Sequence, residues 1–66
     1  MKLDLHGLRH SDIEITVENF ILLNQPPYEV ITGNSTFIRN KVIEVLKKHK
    51  FDYMELPNNY GCLVVL

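Results

Sequence analysis

The spacing of apolar residues changes repeatedly along this chain, and each change predicts a different secondary-structure element. Residues 2–6, KLDLH, alternate in polarity, which is typical of a short strand, and residues 28–32, YEVIT, predict a second one. Between these strands a helical stripe consists of Ile13, Val17, Phe20 and Ile21. After the second strand another stripe consists of Ile38, Val42, Val45 and Leu46. The first part of the chain therefore alternates between strand and helix.

Local signals set the ends of these helices. Residues 11–14, SDIE, have the pattern of a capping box, so we expect the first helix to begin at Ser11 and to reach Leu23 or Asn24. Pro26 and Pro27 end it, because neither can continue the hydrogen-bond ladder. The second helix is predicted over residues 35–49.

The rest of the chain predicts two more strands, at residues 52–56 and 62–66, joined by a turn-rich connector at 57–61. Right-handed crossovers would put both helices on one face of the sheet. The last strand is apolar throughout, which favours a place inside the sheet, and its short connection predicts antiparallel pairing. The fold class is therefore α/β, as an α+β two-layer sandwich with a mixed four-stranded sheet.

Length and composition predict one domain over residues 1–66, with apolar residues at 45% and charged residues at 23%. The single cysteine, Cys62, cannot form an internal disulfide, and Lys2 leads directly into a strand without a signal peptide. No apolar run is long enough to span a membrane. We therefore expect a cytoplasmic protein that is a monomer or a weak homodimer.

Asp4 and His6 are the residues best suited to chemistry. Because side chains alternate along a strand, Leu3 and Leu5 should face the helices while Asp4 and His6 stand on the uncovered face. A spacing of about 6.6 Å between their backbones lets the carboxylate touch or orient the imidazole, as in a general acid–base pair. The alternative is a polar pair at a strand edge without a chemical role.

Two loops should meet at this edge of the sheet. Residues 6–10 and 32–35 each follow the carboxyl end of a predicted parallel strand, where ligands bind in such sheets. Each loop leads into a helix N-terminus, which favours an anion such as phosphate. The predicted phosphate-binding residues are Gly7, Arg9, His10, Thr32, Gly33, Asn34, Ser35 and Arg39. The alternatives are a tight turn for the glycines and a solvated position for the charged residues.

Other surface residues suggest further contacts. Tyr60, in the predicted connector, is suited to stack on a base, with packing or capping as the alternative. Ile15 and Leu22 lie opposite the core face of the first helix and offer a small apolar surface to a partner. Basic residues scatter around the second helix and are interpreted mostly as a solvated face, with phosphate tracking as the alternative: Arg39, Lys41, Lys47, Lys48 and Lys50.

Several chemistries are disfavoured. The sequence has no Cys/His cluster with zinc spacing, no Walker-type loop and no G-x-S-x-G motif. A two-metal nuclease needs several converging carboxylates, and Asp4 has only Glu55 as a plausible companion. We therefore expect neither a metal nor another cofactor. The net charge of −1 also counts against tight, non-specific nucleic-acid binding.

Three segments together resemble a small MutS-related (Smr) domain over nearly the whole chain. They are LDLHG at residues 3–7, ITG at 31–33 and GCLVVL at 61–66, and a helix follows each of the first two. The resemblance implies a fold like the C-terminal domain of bacterial translation initiation factor three. It also implies nucleic-acid binding and, in many members, endonuclease activity on DNA or on RNA, including messenger RNA at stalled ribosomes.

The resemblance also implies roles for individual residues. The D-x-H motif of the family maps onto Asp4 and His6. Its H/T-G-x-G loop begins at Thr32 and Gly33, but Asn34 stands where a basic residue is common and Ser35 where the last glycine stands.

The prediction is a small stand-alone nuclease that cleaves a phosphodiester, in RNA rather than in duplex DNA. In this prediction His6 is the general base or acid, Asp4 orients it, and the amides of residues 33–35 hold the phosphate. One alternative is a non-catalytic RNA-, ribosome- or DNA-binding module, which the altered second loop and the acidic net charge favour. Another is a protein-interaction domain that uses Ile15 and Leu22 or the exposed sheet.

Overall fold

The computed structural model describes all residues from Met1 to Leu66 and has the predicted β-α-β-α-β-β order. Its elements are β1 (Lys2–Asp4), α1 (His10–Leu23), β2 (Tyr28–Ile31), α2 (Thr36–Lys48), β3 (Tyr53–Leu56) and β4 (Asn59–Val65). The longest helix, α1, has 14 residues, and neither helix is long and apolar enough to cross a membrane.

The four strands form one mixed sheet in the order β1-β2-β4-β3. β1 pairs with β2 in parallel, whereas β4 pairs antiparallel with both β2 and β3. The predicted internal position of the last strand is confirmed. Because β4 has a neighbour on each side, even Cys62 on its uncovered face is only 4% exposed.

Both helices pack on the same face of the sheet, which confirms the predicted two layers. The core comprises Leu5, Ile13, Val17, Ile21, Tyr28, Val30, Ile38, Val42, Val45, Leu46, Leu63 and Val65. Alternation along β1 places Leu3 and Leu5 against this core, so that Asp4 and His6 are exposed on the other side.

The predicted capping box at the start of α1 is wrong. The helix begins at His10 with Arg9 as its N-cap, no side chain caps it, and Ser11 lies inside its first turn. The chain turns tightly after β1, because the Leu8 amide donates to the Leu5 carbonyl at 3.1 Å. Gly7, at a φ of 87°, supplies the left-handed backbone in this turn. The chain is therefore already helical when it reaches Ser11.

The connector before the last strand is shorter than predicted. Only Pro57 and Asn58 form the turn, and β4 begins at Asn59 instead of Cys62. Leu56 pairs with Asn59 whereas Glu55 pairs with Leu63, so residues 60–62 bulge without partners on β3. Tyr60 therefore lies in a strand bulge and not in a loop.

A carboxylate joins the two helices. Oε2 of Glu18 in α1 lies 2.8 Å from Nε2 of His49 and 3.3 Å from Nζ of Lys48 at the end of α2. The hydrogen bond from His49, followed by that from Lys48, lowers the pKa of Glu18. A lowered pKa in the folded state stabilises the fold above the ordinary carboxylate pKa, and this contribution disappears as the pH falls through the lowered value.

Glu18→Gln is therefore expected to destabilise the protein at about pH 6 and to have a smaller effect at acidic pH, because the wild-type carboxyl becomes protonated as the pH falls through its lowered pKa. Urea denaturation of both proteins at each pH measures the difference. Asp52→Asn, at an exposed carboxylate without an ion pair, is the matched control. An equal loss of stability at both pH values would contradict the role of the charge.

Candidate functional site

Asp4 and His6 stand together at the end of β1, but their contact differs from the predicted one. Oδ1 of Asp4 accepts a hydrogen bond of 2.9 Å from the backbone amide of His6. No hydrogen bond joins the carboxylate to the imidazole ring. Asp4 therefore fixes the backbone at His6 and leaves the ring to be held by another contact.

The ring of His6 packs on Gly33 of the second loop. Gly33 has a φ of 65°, and a Cβ added there would lie 3.2 Å from Cδ2 of His6. A side chain at this position would therefore be strained and would press on the imidazole. This contact brings the two loops together at one edge of the sheet, beside Asp4.

The bulge in β4 supports Gly33 from another side. The carbonyl of Gly61 accepts hydrogen bonds from the amides of Thr32, at 2.7 Å, and Gly33, at 3.2 Å. A Cβ on Gly61 would lie 3.0 Å from the carbonyl oxygen of Gly33. The Gly33 amide is therefore already engaged. Thr32 is 1% exposed, and its hydroxyl donates to the Gly33 carbonyl at 3.2 Å. Thr32 therefore stabilises the loop from its buried side.

Gly61 was not among the predicted site residues. The sequence does carry a signal for it, since a glycine inside a strand often marks a bulge or a close backbone approach.

Gly61→Ala is expected to push the Gly33 loop away from β4, because the new methyl group meets backbone atoms. We expect a loss of roughly 1–3 kcal/mol in the free energy of unfolding, as for other overpacked sites. Urea denaturation measures it, and amide chemical shifts of His6 and Gly33 report the displacement. Asn59→Ala, at the exposed start of the same strand, should change neither quantity. Unchanged shifts in Gly61→Ala would contradict the support role of Gly61.

Four backbone amides of the two loops donate no hydrogen bond within the chain. They belong to Gly7 and Arg9 in the first loop and to Asn34 and Ser35 in the second. Ser35 has an ordinary φ of −84°, and its hydroxyl caps α2 by accepting from the Ile38 amide at 3.1 Å. Its own amide stays unengaged. The two loops, which meet at one edge of the sheet, thus contain free donors and lead into two helix N-termini, a combination that suits an anion.

Arg39 and Tyr60 form a separate cluster beside this region. Arg39 is only 7% exposed and pairs with Glu55. Its Nη1 donates to the Tyr60 carbonyl at 2.8 Å, and its guanidinium lies 4.6 Å from the centroid of the Tyr60 ring. The guanidinium is thus occupied within the protein, whereas Arg9 is exposed and makes no ion pair. Arg9 is the cation available to a ligand at this edge.

The remaining charged residues show little convergence. Glu55 lies on β3 and Asp4 on β1, at opposite edges of the sheet. No three metal-ligating side chains lie together. Of the basic residues in α2, Lys41 pairs with Glu44 and Lys48 pairs with Glu18, in addition to the ion pair of Arg39.

His10 and Phe37 stack on each other at the starts of the two helices. Their ring centroids lie 4.1 Å apart at an interplanar angle of 20°, and Phe37 remains 41% exposed. Residue Thr36, next to Phe37, places Oγ1 3.4 Å from the hydroxyl of Tyr60. His10 was a predicted site residue, but Phe37 was not. Phe37 directly precedes the core residue Ile38, and nothing in the spacing distinguishes it from a packing residue.

Cys62 is not in an environment that would make its thiol reactive. Its Sγ lies 3.9 Å from Oε2 of Glu29. Burial and then the nearby Glu29 raise the pKa of this thiol, so it stays protonated at neutral pH. The structure therefore disfavours Cys62 as a nucleophile.

A comparison with protein-family models found no match, and searches of curated proteins and of solved structures found none either.

Proposed function

We propose that this chain is a small Smr-type endonuclease that cleaves phosphodiester bonds in RNA. The observation that carries the proposal is the contact between His6 and Gly33. It sets an exposed imidazole between two loops that each contain two unoccupied backbone amides. A phosphate held by the amides of Asn34 and Ser35, with Arg9 supplying charge, would lie beside that imidazole.

The chemistry available to a single exposed histidine favours RNA over DNA. His6 takes the proton of the ribose 2′-hydroxyl, and the O2′–P bond forms as the P–O5′ bond breaks. The leaving O5′ takes up a proton from the imidazolium or from water, and the products are a 2′,3′-cyclic phosphate and a 5′-hydroxyl. DNA lacks this internal nucleophile. Asp4 contributes by fixing the backbone from which the imidazole projects.

A binding module without catalysis is the second candidate. It is favoured by the hydrogen bond of Asp4, which goes to the backbone and leaves the imidazole without a polar partner to orient it. The free amides and Arg9 would then hold the RNA without cleaving it.

The test is an assay with end-labelled RNA in buffer that contains a chelator. The nuclease proposal expects cleavage to a cyclic phosphate, and a matched oligonucleotide with 2′-deoxyribose at the cleaved position should resist it. Saturable RNA binding without cleavage, in buffer with a metal ion and in buffer with a chelator, would favour the binding module over the nuclease. Neither binding nor cleavage at low salt would overturn both.

A further inference from the structure

Two ring contacts join the same pair of loop–helix junctions. His6 packs on Gly33 between the loops, and His10 stacks on Phe37 between the first turns of α1 and α2. His10 follows His6 by four residues, and Phe37 follows Gly33 by four residues. Since four residues span at most about 14 Å, the aromatic pair lies within a short reach of the imidazole proposed for catalysis.

The aromatic pair lies at the surface. Phe37 is 41% exposed and lies outside the core, whereas the next residue, Ile38, is 5% exposed and belongs to it. His10 is exposed as well. An aromatic residue at the start of a surface helix, beside free amides that suit an anion, presents its apolar ring to a ligand that binds to those amides.

A third ring, that of Tyr60, is held near this pair by two contacts. The hydroxyl of Tyr60 lies 3.4 Å from Oγ1 of Thr36, and its ring rests on the guanidinium of Arg39. Tyr60 is nevertheless 52% exposed. Rings fixed before binding lose little freedom when a ligand stacks on them, which favours their use in recognition.

We propose that His10 and Phe37 form a stacking subsite for an unpaired base next to the bound phosphate. Bases in a duplex stack on each other, so only an unpaired base can offer its face to these rings. The substrate is therefore single-stranded RNA or an unpaired loop, and Tyr60 lies beside the same strand. This inference rests on the proposed nuclease or binding function and specifies its substrate.

The experiment measures binding of a 2′-deoxy-substituted, uncleavable RNA strand that carries 2-aminopurine, and of the same strand in a duplex. We expect the wild-type protein to quench 2-aminopurine and to prefer the single strand. Phe37→Ala should weaken single-strand binding about tenfold, since stacking on an aromatic residue contributes on that order. It should abolish the quenching and leave duplex binding nearly unchanged. Phe37→Leu, which keeps apolar bulk without an aromatic face, should also lose the quenching.

Leu22→Ala, at an exposed apolar residue on the outer face of α1, is the matched control and should bind as the wild type does. Thermal melts establish that each variant is folded, and His10→Ala provides a second variant if Phe37→Ala is unstable. Cleavage by the wild type together with unchanged single-strand binding by folded Phe37 variants would overturn the stacking subsite alone. Equal affinity of the wild type for duplex and single strand would also overturn it. Absence of both binding and cleavage would overturn the proposed function itself.

Discussion

His6→Ala is expected to lower the rate of RNA cleavage by about 10²–10⁴-fold, the usual contribution of a positioned general acid or base. The fold should survive, because His6 is exposed and lies outside the core. The loss should fall mainly on kcat, since backbone amides and Arg9 hold the phosphate in the proposed site. Steady-state cleavage of labelled RNA gives kcat and KM, and a thermal melt verifies folding.

His6→Gln separates proton transfer from packing in the same assay. Glutamine can fill part of the space over Gly33 and can form hydrogen bonds, but it does not exchange a proton near neutral pH. It should be nearly as inactive as alanine. A folded His6→Ala variant that cleaves at the wild-type rate would remove His6 from the mechanism, and the binding module would then be the better proposal.

Most of the fold follows from local sequence signals. The apolar stripes led by Ile13 and Ile38 placed both helices, and an unbroken apolar run placed the last strand inside the sheet. These predictions succeed because each helix buries one face and β4 has a neighbouring strand on each side, so that each pattern reflects the packing of its own element. The capping box at Ser11 failed because a tight turn closed by Leu8, with Gly7 in a left-handed conformation, brings the chain into the helix at His10.

The candidate site was predictable in outline but not in its contacts. Parallel pairing of the first two strands is enough to bring both loops to one edge, and so the Asp4, His6 and Gly33 region was identified. The orientation of the His6 ring was not, because it depends on a glycine distant in sequence. Arg39 looks like any other basic residue of a surface helix, yet the bulge in β4 brings a carbonyl to it and buries it. Such effects arise from strand register, which the sequence pattern does not specify.

The bulge also links the site to the middle of the sheet. β4 carries Gly61, whose carbonyl holds the Gly33 loop, and two residues later it carries Leu63 in the core. Displacement of β4 would therefore move the loop on which the His6 ring rests. The described residues form one core cluster, so the loop depends on the same packing as the rest of the sheet.

Leu63→Ala is expected to cost about 2–5 kcal/mol in the free energy of unfolding, as for other fully buried leucines. Leu63 is 0% exposed and pairs with Val30 and Glu55 on the two neighbouring strands, so the surroundings cannot easily close around a cavity. A chain of this length has a total stability of about 3–10 kcal/mol, so the variant should be largely unfolded at elevated temperature. Urea denaturation measured by circular dichroism tests this expectation.

Val64→Ala is the matched control on the same strand. Val64 is half-buried on the uncovered face of the sheet, and its truncation leaves no enclosed cavity. Its loss should therefore be clearly smaller than that of Leu63→Ala. Similar losses for the two variants would contradict the difference in burial between Leu63 and Val64.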